Sequence, residues 1–362
     1  MDIAVETDRA VIKRAGINRA RIVCGLVLCL LAPATVAPAT LAADAPAVRP
    51  LPAHPLIVAH RGASGYLPEH TREAYIAAID MGADFLEIDL VLTKDGHLIA
   101  RHENEISSST DVAARYPGRK TKKTIDGKEE EGWFSEDFTL EEIRTLRAKQ
   151  LLAIRDQSNN GKFLVASLDD ILKLRADKLR ETGRTIGLYL EPKQPAYYRS
   201  INRPLEPILI SALKAQALAR ADSRVILHSY DAESVKLMSQ LTAGPVSQLL
   251  SDQSQTTDES LAQIARYAKS IGAQKRWIVP VDANGQTQAP TDLIQRAHKM
   301  GLRVHANVFA PESQFLPASY RGDQAKEYCL FQSLGVDGVF TDTPDEAFKA
   351  FRESCPIPAL NK

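Results

Sequence analysis

The stretch DFLEIDLVLTKDGHLIARH, residues 84–102, places two acidic side chains in an apolar strand-like run and then turns back. An Asp-Gly pair between alternating apolar runs is a strong signal for a β-hairpin. If that pair forms a two-residue loop, Asp89 is expected to face His102. Because side chains alternate along a strand, Glu87 shares a face with Asp89. The stretch therefore predicts a hairpin that brings a histidine to paired carboxylates.

The hairpin also decides how many strands the sheet contains. From residue 55 onward, short apolar runs alternate with helical patterns, which is typical of a parallel sheet with helical crossovers. The runs are LIVAH (56–60), FLEIDL (85–90), LIARH (98–102), IGLYLE (186–191), VILHS (225–229), VSQLL (246–250), WIVPV (277–281), RVHANV (303–308) and GVFTD (338–342). Since LIARH is the return arm of the hairpin, eight runs remain to close a barrel. We predict an α/β fold, a (β/α)8 TIM barrel with a hairpin at its rim, whose active site lies at the carboxyl ends of the strands.

The barrel domain is predicted to span 55–352, followed by a C-terminal tail at 353–362. Before it, residues 1–43 combine basic side chains, the apolar run IVCGLVLCLL and an Ala/Pro-rich tract, a pattern typical of a secretory signal. The apolar run is much shorter than the ~20 residues that span a bilayer. We expect export to the periplasm, or secretion, without stable membrane insertion.

Two features of the exported chain each allow two interpretations. The charged segment 103–138 is predicted to be an insertion, either a lid or specificity element at one end of the barrel or a flexible surface loop. Cys329 and Cys355 are the cysteines that remain after export, and they form either a disulfide or one buried and one free thiol.

Composition excludes some partners. The 362 residues include 45 basic and 45 acidic side chains, so no surplus of positive charge favours binding to nucleic acid. The sequence does not indicate an oligomeric state.

The acidic residues predict a metal site. Glu87 and Asp89 would repel one another on one face of a strand unless a cation lay between them. YLEPK places Glu191 and Lys193 at the end of another strand, so Glu191 supplies a third carboxylate there. Three carboxylates favour a hard divalent cation, with Ca²⁺ preferred and Mg²⁺ the alternative. A simple ion pair between Glu191 and Lys193 is the competing interpretation.

Histidine and arginine at the same rim indicate phosphate chemistry. LIVAHRG brings His60 and Arg61 to the end of the first strand. A guanidinium matches the oxygens of a phosphate, and two histidines, His60 and His102, supply an acid and a base near neutral pH. At later strand ends, His228, His305 and Phe309 are candidates for the substrate pocket or for core packing.

Four motifs together resemble the glycerophosphodiester phosphodiesterases, particularly the longer periplasmic bacterial ones: VAHRGASGYLPEHT, EIDLVLTKDGHLIARHENEI, YLEPK and GVFTDTPDEA. The resemblance implies metal-dependent hydrolysis of small glycerophosphodiesters to sn-glycerol 3-phosphate and an alcohol. It implies the following roles: His60 and His102 as acid and base, Arg61 and Lys193 as phosphate ligands, and Glu87, Asp89 and Glu191 as metal ligands. Many relatives have Asp where this chain has Glu103, and Asn where it has His70.

Other functions are compatible with parts of this pattern. Related diesterases on the same fold act on lysophospholipids or inositol phospholipids. A glycoside hydrolase would use paired carboxylates but would leave the His-Arg pair idle. A binding protein without turnover would not need the full set of reactive side chains.

Overall fold

The computed structural model describes residues 54–356, which form a barrel. The strands are β1 (Leu56–Ala59), β2 (Phe85–Leu92), β3 (Leu98–Ala100), β4 (Thr121–Ile125), β5 (Lys128–Gly132), β6 (Gly187–Pro192), β7 (Val225–Ser229), β8 (Val246–Leu249), β9 (Ser270–Gln274), β10 (Arg303–Phe309) and β11 (Gly338–Thr341). All except β3, β4 and β5 are parallel barrel strands, and β1 pairs with both β2 and β11 to close the ring. The predicted TIM barrel is confirmed.

Helices alternate with the barrel strands. They are α1 (Arg72–Asp80), α2 (Val112–Arg115), α3 (Leu140–Ile143), α4 (Leu168–Thr182), α5 (Pro195–Ser200), α6 (Leu205–Ala215), α7 (Ala232–Leu241), α8 (Asp258–Ile264), α9 (Lys275–Ile278), α10 (Leu293–Lys299), α11 (Gln324–Ser333) and α12 (Pro344–Lys349). Capping boxes begin α3 at Thr139 and α4 at Ser167, as the sequence indicates. Within residues 54–356, no helix is both long enough and apolar enough to cross a bilayer.

The inside of the barrel has two layers. Its lower part is a separate apolar cluster of inward-facing side chains: Leu56, Val58, Phe85, Tyr189, Ile226 and Phe340. Two residues further along these strands, the inward side chains become polar, as at His60 and Glu87. Leu86, Ile88 and Leu90 face outward and join the larger core beneath the helices. Alternation along the strands thus separates a packed base from a polar rim.

The sixth barrel strand is not where the sequence predicted it. WIVPV begins in the short helix α9, and the strand is the preceding SIGAQ segment, β9. The strand is weakly hydrophobic because it carries Gly272, whose absent side chain leaves room for Leu249. Trp277 and Ile278 are apolar because they pack in the core as part of a helix. The hydrophobic pattern of WIVPV therefore predicted burial correctly, but it predicted a strand where the structure has the end of a short helix.

The rim hairpin exists, but its predicted register is wrong by one residue. Leu90 pairs with Ala100, so Asp89 lies level with Arg101 and not with His102. The loop has three residues because Thr93 pairs with His97, and Gly96 adopts a left-handed conformation with φ 89°. A glycine in that conformation closes a three-residue hairpin loop with a bulge. β3 ends at Ala100, and His102 follows it in an irregular segment.

The insertion at 103–138 is folded. It contains a second hairpin, β4–β5, whose turn residues Asp126 and Gly127 both have positive φ, at 48° and 81°. An Asp-Gly pair favours this kind of turn, so the pair could have been used to predict the second hairpin. Phe134 and Phe138 anchor the insertion in the core. Its role as a lid stays a prediction.

Cys329 of α11 and Cys355 form a disulfide, with their Cα atoms 4.9 Å apart. Of the two interpretations of these cysteines, the structure has the disulfide. The predicted signal at 1–43 lies outside the described residues, as does most of the tail.

Candidate active site

Three acidic side chains meet at the carboxyl ends of β2 and β6. Asp89 and Glu191 are partners across these neighbouring strands, and Glu87 is the partner of Tyr189 one step below. All three carboxylates are buried. The structure therefore brings together the three side chains that the sequence predicted as metal ligands.

The best-formed donor set for a metal includes a histidine. Ligand atoms of Glu87, Glu191 and His228 all lie within 4.8 Å of one another. Neither ring nitrogen of His228 has a hydrogen-bond partner among the described residues, and burial lowers the pKa of this imidazole to about 3, so that it is neutral. Two carboxylates and a neutral imidazole are suitable ligands for a divalent cation. Of the three, only His228 was predicted as a pocket residue and not as a ligand.

Asp89 has a different environment. It accepts a hydrogen bond of 3.0 Å from Nε2 of His70, and its oxygens lie 3.4 Å from Nε of Arg61 and 3.7 Å from Nζ of Lys193. Burial acts to raise the pKa of Asp89, but these neighbours, with Lys193 the strongest, hold it well below its usual range. Asp89 is therefore an ionised acid that already has cationic partners. Its predicted role as a metal ligand stays a prediction.

Glu87 and Glu191 have too little positive charge nearby to offset the cost of burying their carboxylates. Burial raises the pKa of Glu87 well above its usual range, and the negative charge of Asp89 adds to this effect. Burial also raises the pKa of Glu191 to about 8, although Nζ of Lys193 lies only 3.2 Å from its oxygen. A bound cation would supply the positive charge that these two carboxylates lack. The contact between Glu191 and Lys193 that the competing interpretation expects is therefore present beside a possible metal site.

His60 is oriented by an acid at the end of β11. Its Nδ1 donates a 2.7 Å hydrogen bond to Asp342, which leaves Nε2 directed away from this contact. Asp342 also accepts bonds from Ser64 (3.0 Å) and Arg155 (2.6 Å). Although burial opposes it, contact with His60 and Arg155 keeps the pKa of Asp342 below its usual range. An ionised carboxylate at Nδ1 fixes the tautomer and the orientation of the imidazole.

His102 reaches the same rim from the hairpin. Its Nδ1 lies 2.7 Å from the Glu103 carboxylate, and its Nε2 lies 3.3 Å from Nζ of Lys193. Burial and the nearby charge of Arg61 lower the pKa of His102. His102 is therefore a neutral imidazole whose Nε2 carries a lone pair. Glu103, where many relatives have Asp, still provides a carboxylate partner.

Arg61 lies in a constrained turn between the acids. It is not a glycine, yet its φ is 60°. Its backbone N–H donates to Glu87, and its Nη1 donates to Glu69, each at 2.8 Å. The next residue, Gly62, has φ 85°, and a Cβ there would lie only 2.8 Å from the backbone of Ala74. These contacts fix the guanidinium beside the carboxylates, where it offers hydrogen bonds to an anionic substrate.

Two predicted pocket residues lie elsewhere. His305 is buried in the barrel, where its Nδ1 contacts the Tyr189 hydroxyl at 2.9 Å. Phe309 stacks on Tyr328 in the outer core. The pairing of β10 with β11 shifts register between Ala306 and Phe309, so simple alternation no longer gives the direction of the Phe309 side chain. Both residues support the fold and do not line the site.

Several site residues were missed in the sequence. Asp342 ends the GVFTD strand, and its position at a barrel strand end was a usable signal. Glu69 and His70 follow the first strand closely, in the turn before α1. No local sequence pattern marked Arg155 as a site residue, because its partner Asp342 lies 187 positions away in the sequence.

The fold and site define a class of protein, a TIM-barrel enzyme that acts on phosphate esters at a candidate metal centre, and comparisons with known proteins agree. Residues 60–346 match the model of the glycerophosphoryl diester phosphodiesterase family. A glycerophosphodiester phosphodiesterase of Arabidopsis thaliana, GDPD6, is 33% identical over 84% of this chain and 88% of its own.

Solved structures agree in fold. A glycerophosphoryl diester phosphodiesterase structure from Silicibacter pomeroyi superposes with a TM-score of 0.62 at 20% identity, covering 84% of this chain and 95% of that one. A phosphodiesterase of Oleispira antarctica, solved with the product sn-glycerol-3-phosphate, gives 0.52 at 17% identity, covering 82% and 96%. The chain belongs to the glycerophosphoryl diester phosphodiesterase family, and it is a phosphoric diester hydrolase.

Proposed function

We propose that the protein hydrolyses glycerophosphodiesters to sn-glycerol 3-phosphate and an alcohol, with a divalent cation bound at its acidic cluster. The observation that carries this proposal is the hydrogen bond between His60 and the ionised Asp342. His60 is followed in the sequence by Arg61, which contacts the carboxylates of the same site. A glycoside hydrolase would have no use for this pair, and family membership removes that alternative.

The two histidines divide the proton transfers. His102, whose lowered pKa keeps it neutral, accepts the proton of a glycerol hydroxyl as the hydroxyl oxygen attacks phosphorus. His60, which Asp342 orients through Nδ1, donates a proton from Nε2 to the alcohol oxygen as the P–O bond breaks. Water then opens the resulting cyclic phosphate with the roles reversed, which returns both histidines to their starting states. Arg61 hydrogen-bonds to the phosphoryl oxygens throughout.

Glu87, Glu191 and His228 would hold the cation, and Asp89 is close enough to Glu191 to complete the set. When bound, the cation offsets the negative charge that develops on the phosphoryl oxygens. Ca²⁺ is favoured because carboxylate oxygens predominate, and Mg²⁺ is the alternative. The imidazole of His228 also suits softer metals, which makes zinc a necessary comparison.

The test is an assay of several glycerophosphodiesters with and without EDTA, restoring Ca²⁺, Mg²⁺ and Zn²⁺ separately. His60→Ala and His102→Ala are each expected to lose about 10²- to 10⁴-fold in kcat, the usual contribution of a general acid or base. The matched control is His97→Ala, since His97 is an exposed histidine at the hairpin loop. Full activity in EDTA after exhaustive dialysis would contradict the metal requirement, and near-normal turnover by either histidine variant would contradict its role.

A second candidate substrate is a lysophospholipid. The pocket of about 230 Å³ that contains His60 and Arg61 is also lined by Leu151, Leu152 and Phe315. Leu151 is 41% exposed and Phe315 is 40% exposed, which is unusual for large apolar side chains beside a polar site. Such a rim could contact an acyl chain. Release of choline or lysophosphatidate from lysophosphatidylcholine, compared with glycerophosphocholine, separates the two substrate classes.

We also propose that the protein is exported to the periplasm. Support comes from the signal-like residues 1–43 and from the Cys329–Cys355 disulfide, since disulfides persist in oxidising compartments. Fractionation of cells expressing the full chain, with N-terminal sequencing of the mature protein, tests this. A cytoplasmic protein that retains Met1 would contradict it.

A further inference from the structure

A second cavity opens at the carboxyl ends of β9 and β10. Its volume is about 590 Å³, within the usual range for small-molecule sites. We name it the β9–β10 chamber, and the lining residues that matter here are Tyr230, Lys275, Arg276, Phe315, Tyr320 and Glu327. Phe315 and Val308 line both this chamber and the pocket that contains His60 and Arg61. The two cavities are therefore adjacent, which places the chamber next to a diester whose phosphate contacts Arg61.

The chamber contains buried polar atoms without partners. The hydroxyl of Tyr320, a residue only 7% exposed, has no hydrogen-bond partner among the described residues. Glu327 is 1% exposed, and one of its oxygens lies 2.8 Å from Nζ of Lys275 while Oε2 has no partner among those residues. Buried polar groups are nearly always hydrogen-bonded in folded proteins. The unpartnered hydroxyl and carboxylate oxygen indicate that a ligand with hydroxyl groups completes this site.

The charges of the chamber disfavour a cationic ligand. Lys275 neutralises Glu327, and Arg276 is exposed at the lining without a salt bridge among the described residues. A quaternary ammonium group is normally bound by the faces of aromatic rings. Here the ring of Tyr230 already lies 6.0 Å from the ammonium of Lys193.

We propose that the β9–β10 chamber binds the alcohol portion of the diester and selects hydroxyl-rich alcohols without positive charge, such as glycerol or inositol, over choline. This inference rests on the proposed function, because it assigns the second substituent of the same substrate. Tyr320 and Glu327 hydrogen-bond to hydroxyl groups of the alcohol, and Arg276 disfavours a cation.

The experiment compares kcat/KM for glycerophosphoinositol and glycerophosphocholine at saturating metal. The wild-type protein is expected to favour the inositol ester. Tyr320→Phe removes one hydroxyl with little change of shape and is expected to reduce the inositol-to-choline ratio by about 3- to 10-fold, the value of one hydrogen bond. Arg276→Gln should reduce the ratio further by improving the choline ester. The matched control is Tyr116→Phe in the insertion, whose hydroxyl contacts Thr145, and it should leave the ratio unchanged.

The outcomes separate the two proposals. If the wild-type protein hydrolyses neither ester, the proposed function fails and this inference fails with it. If both esters are hydrolysed but choline is preferred, or if the ratio in Tyr320→Phe equals that in Tyr116→Phe, the chamber does not select the alcohol while the proposed function stands. A lower KM for glycerophosphoinositol that is lost selectively in Tyr320→Phe supports the inference.

Discussion

At the scale of single residues, the acids of this site are all buried, but they differ in how much positive charge lies next to them. Asp89 and Asp342 contact cationic side chains, and the pKa of each lies below its usual range. Glu87 and Glu191 are equally buried, but the pKa of each is raised. The first pair is already ionised and orients neighbouring side chains. The second pair lacks the neighbouring positive charge that a bound cation would supply.

Asp342→Asn tests the orienting role. The amide keeps the shape of the carboxylate but removes the charged acceptor that orients His60 through Nδ1, so kcat should fall by about 10²- to 10⁴-fold. Metal content should not change, because Asp342 is not part of the donor set. Steady-state kinetics and metal analysis measure the two quantities. The control is Asp345→Asn, which alters a carboxylate bonded to Tyr66 in the same segment of chain. Equal kcat values for the two variants would contradict the assignment.

Metal binding should release protons. In the metal-free protein Glu191 has a pKa of about 8, so it is largely protonated at neutral pH, and burial raises the pKa of Glu87 in the same direction. A cation binds the ionised form, so its affinity should rise with pH up to about 8 and fall as the medium becomes more acidic. Calorimetric titration at pH 7 in buffers of different ionisation enthalpy should detect the release of about one to two protons per cation. An affinity that is constant between pH 6 and 8 would contradict this.

At the scale of elements, the rim hairpin shows how one glycine sets a register. The left-handed Gly96 creates a three-residue loop, which places Arg101 opposite Asp89 and sends its side chain into the protein interior. His102 reaches the site only because the chain leaves the ladder after Ala100. The position of His102 is therefore a property of the loop as much as of the strand.

Gly96→Ala should destabilise the protein by about 1 to 2 kcal/mol, since a Cβ is unfavourable in the left-handed region. The cost is conformational and not steric, because no atom lies within 4 Å of the added Cβ. Gly118→Ala is a matched control, as it also has free space but lacks a positive φ. Urea unfolding of both variants measures the difference in the free energy of unfolding. Equal stability would show that the loop does not depend on the glycine.

At the scale of the whole molecule, a rigid barrel supports a reactive rim. The apolar lower layer, including Phe85 and Tyr189, is packed against the polar layer above it. The side chains proposed for catalysis and metal binding come from β1, β2, β6, β7 and β11 or directly follow them, so only closure of the barrel brings them together. The disulfide joins the end of the chain to α11, next to the closing strand.

Removing the disulfide should lower the stability of the whole domain. For a sequence separation of 26 residues, loop-closure entropy accounts for about 3 kcal/mol. Cys355→Ser and chemical reduction of the wild-type protein should therefore lower the free energy of unfolding by similar amounts. Urea titrations with and without reductant measure this, and thiol titration of the unreduced protein should find no free thiol at either position. Two titratable thiols in the unreduced protein would show that the bond does not form.

Much of the site was predictable from the sequence, and the failures have specific causes. His60, Arg61, Glu87 and Glu191 were correctly placed at strand ends because alternation holds within regular strands. It failed for Phe309, where the pairing of β10 is irregular. The sixth barrel strand, β9, was missed because it is packed around a glycine and is only weakly hydrophobic. Contacts between distant segments, such as Arg155 with Asp342, leave no local pattern.

The sequence by itself determined the barrel, the hairpin and which reactive side chains lie at the rim, because these depend on periodicity, turn chemistry and strand ends. Only the tertiary structure decided which partners those side chains have. It placed Asp342 on His60, His228 beside Glu87 and cations around Asp89. The physical reason is that the charge state of a buried group depends on its neighbours in space, and barrel closure brings together neighbours from opposite ends of the chain.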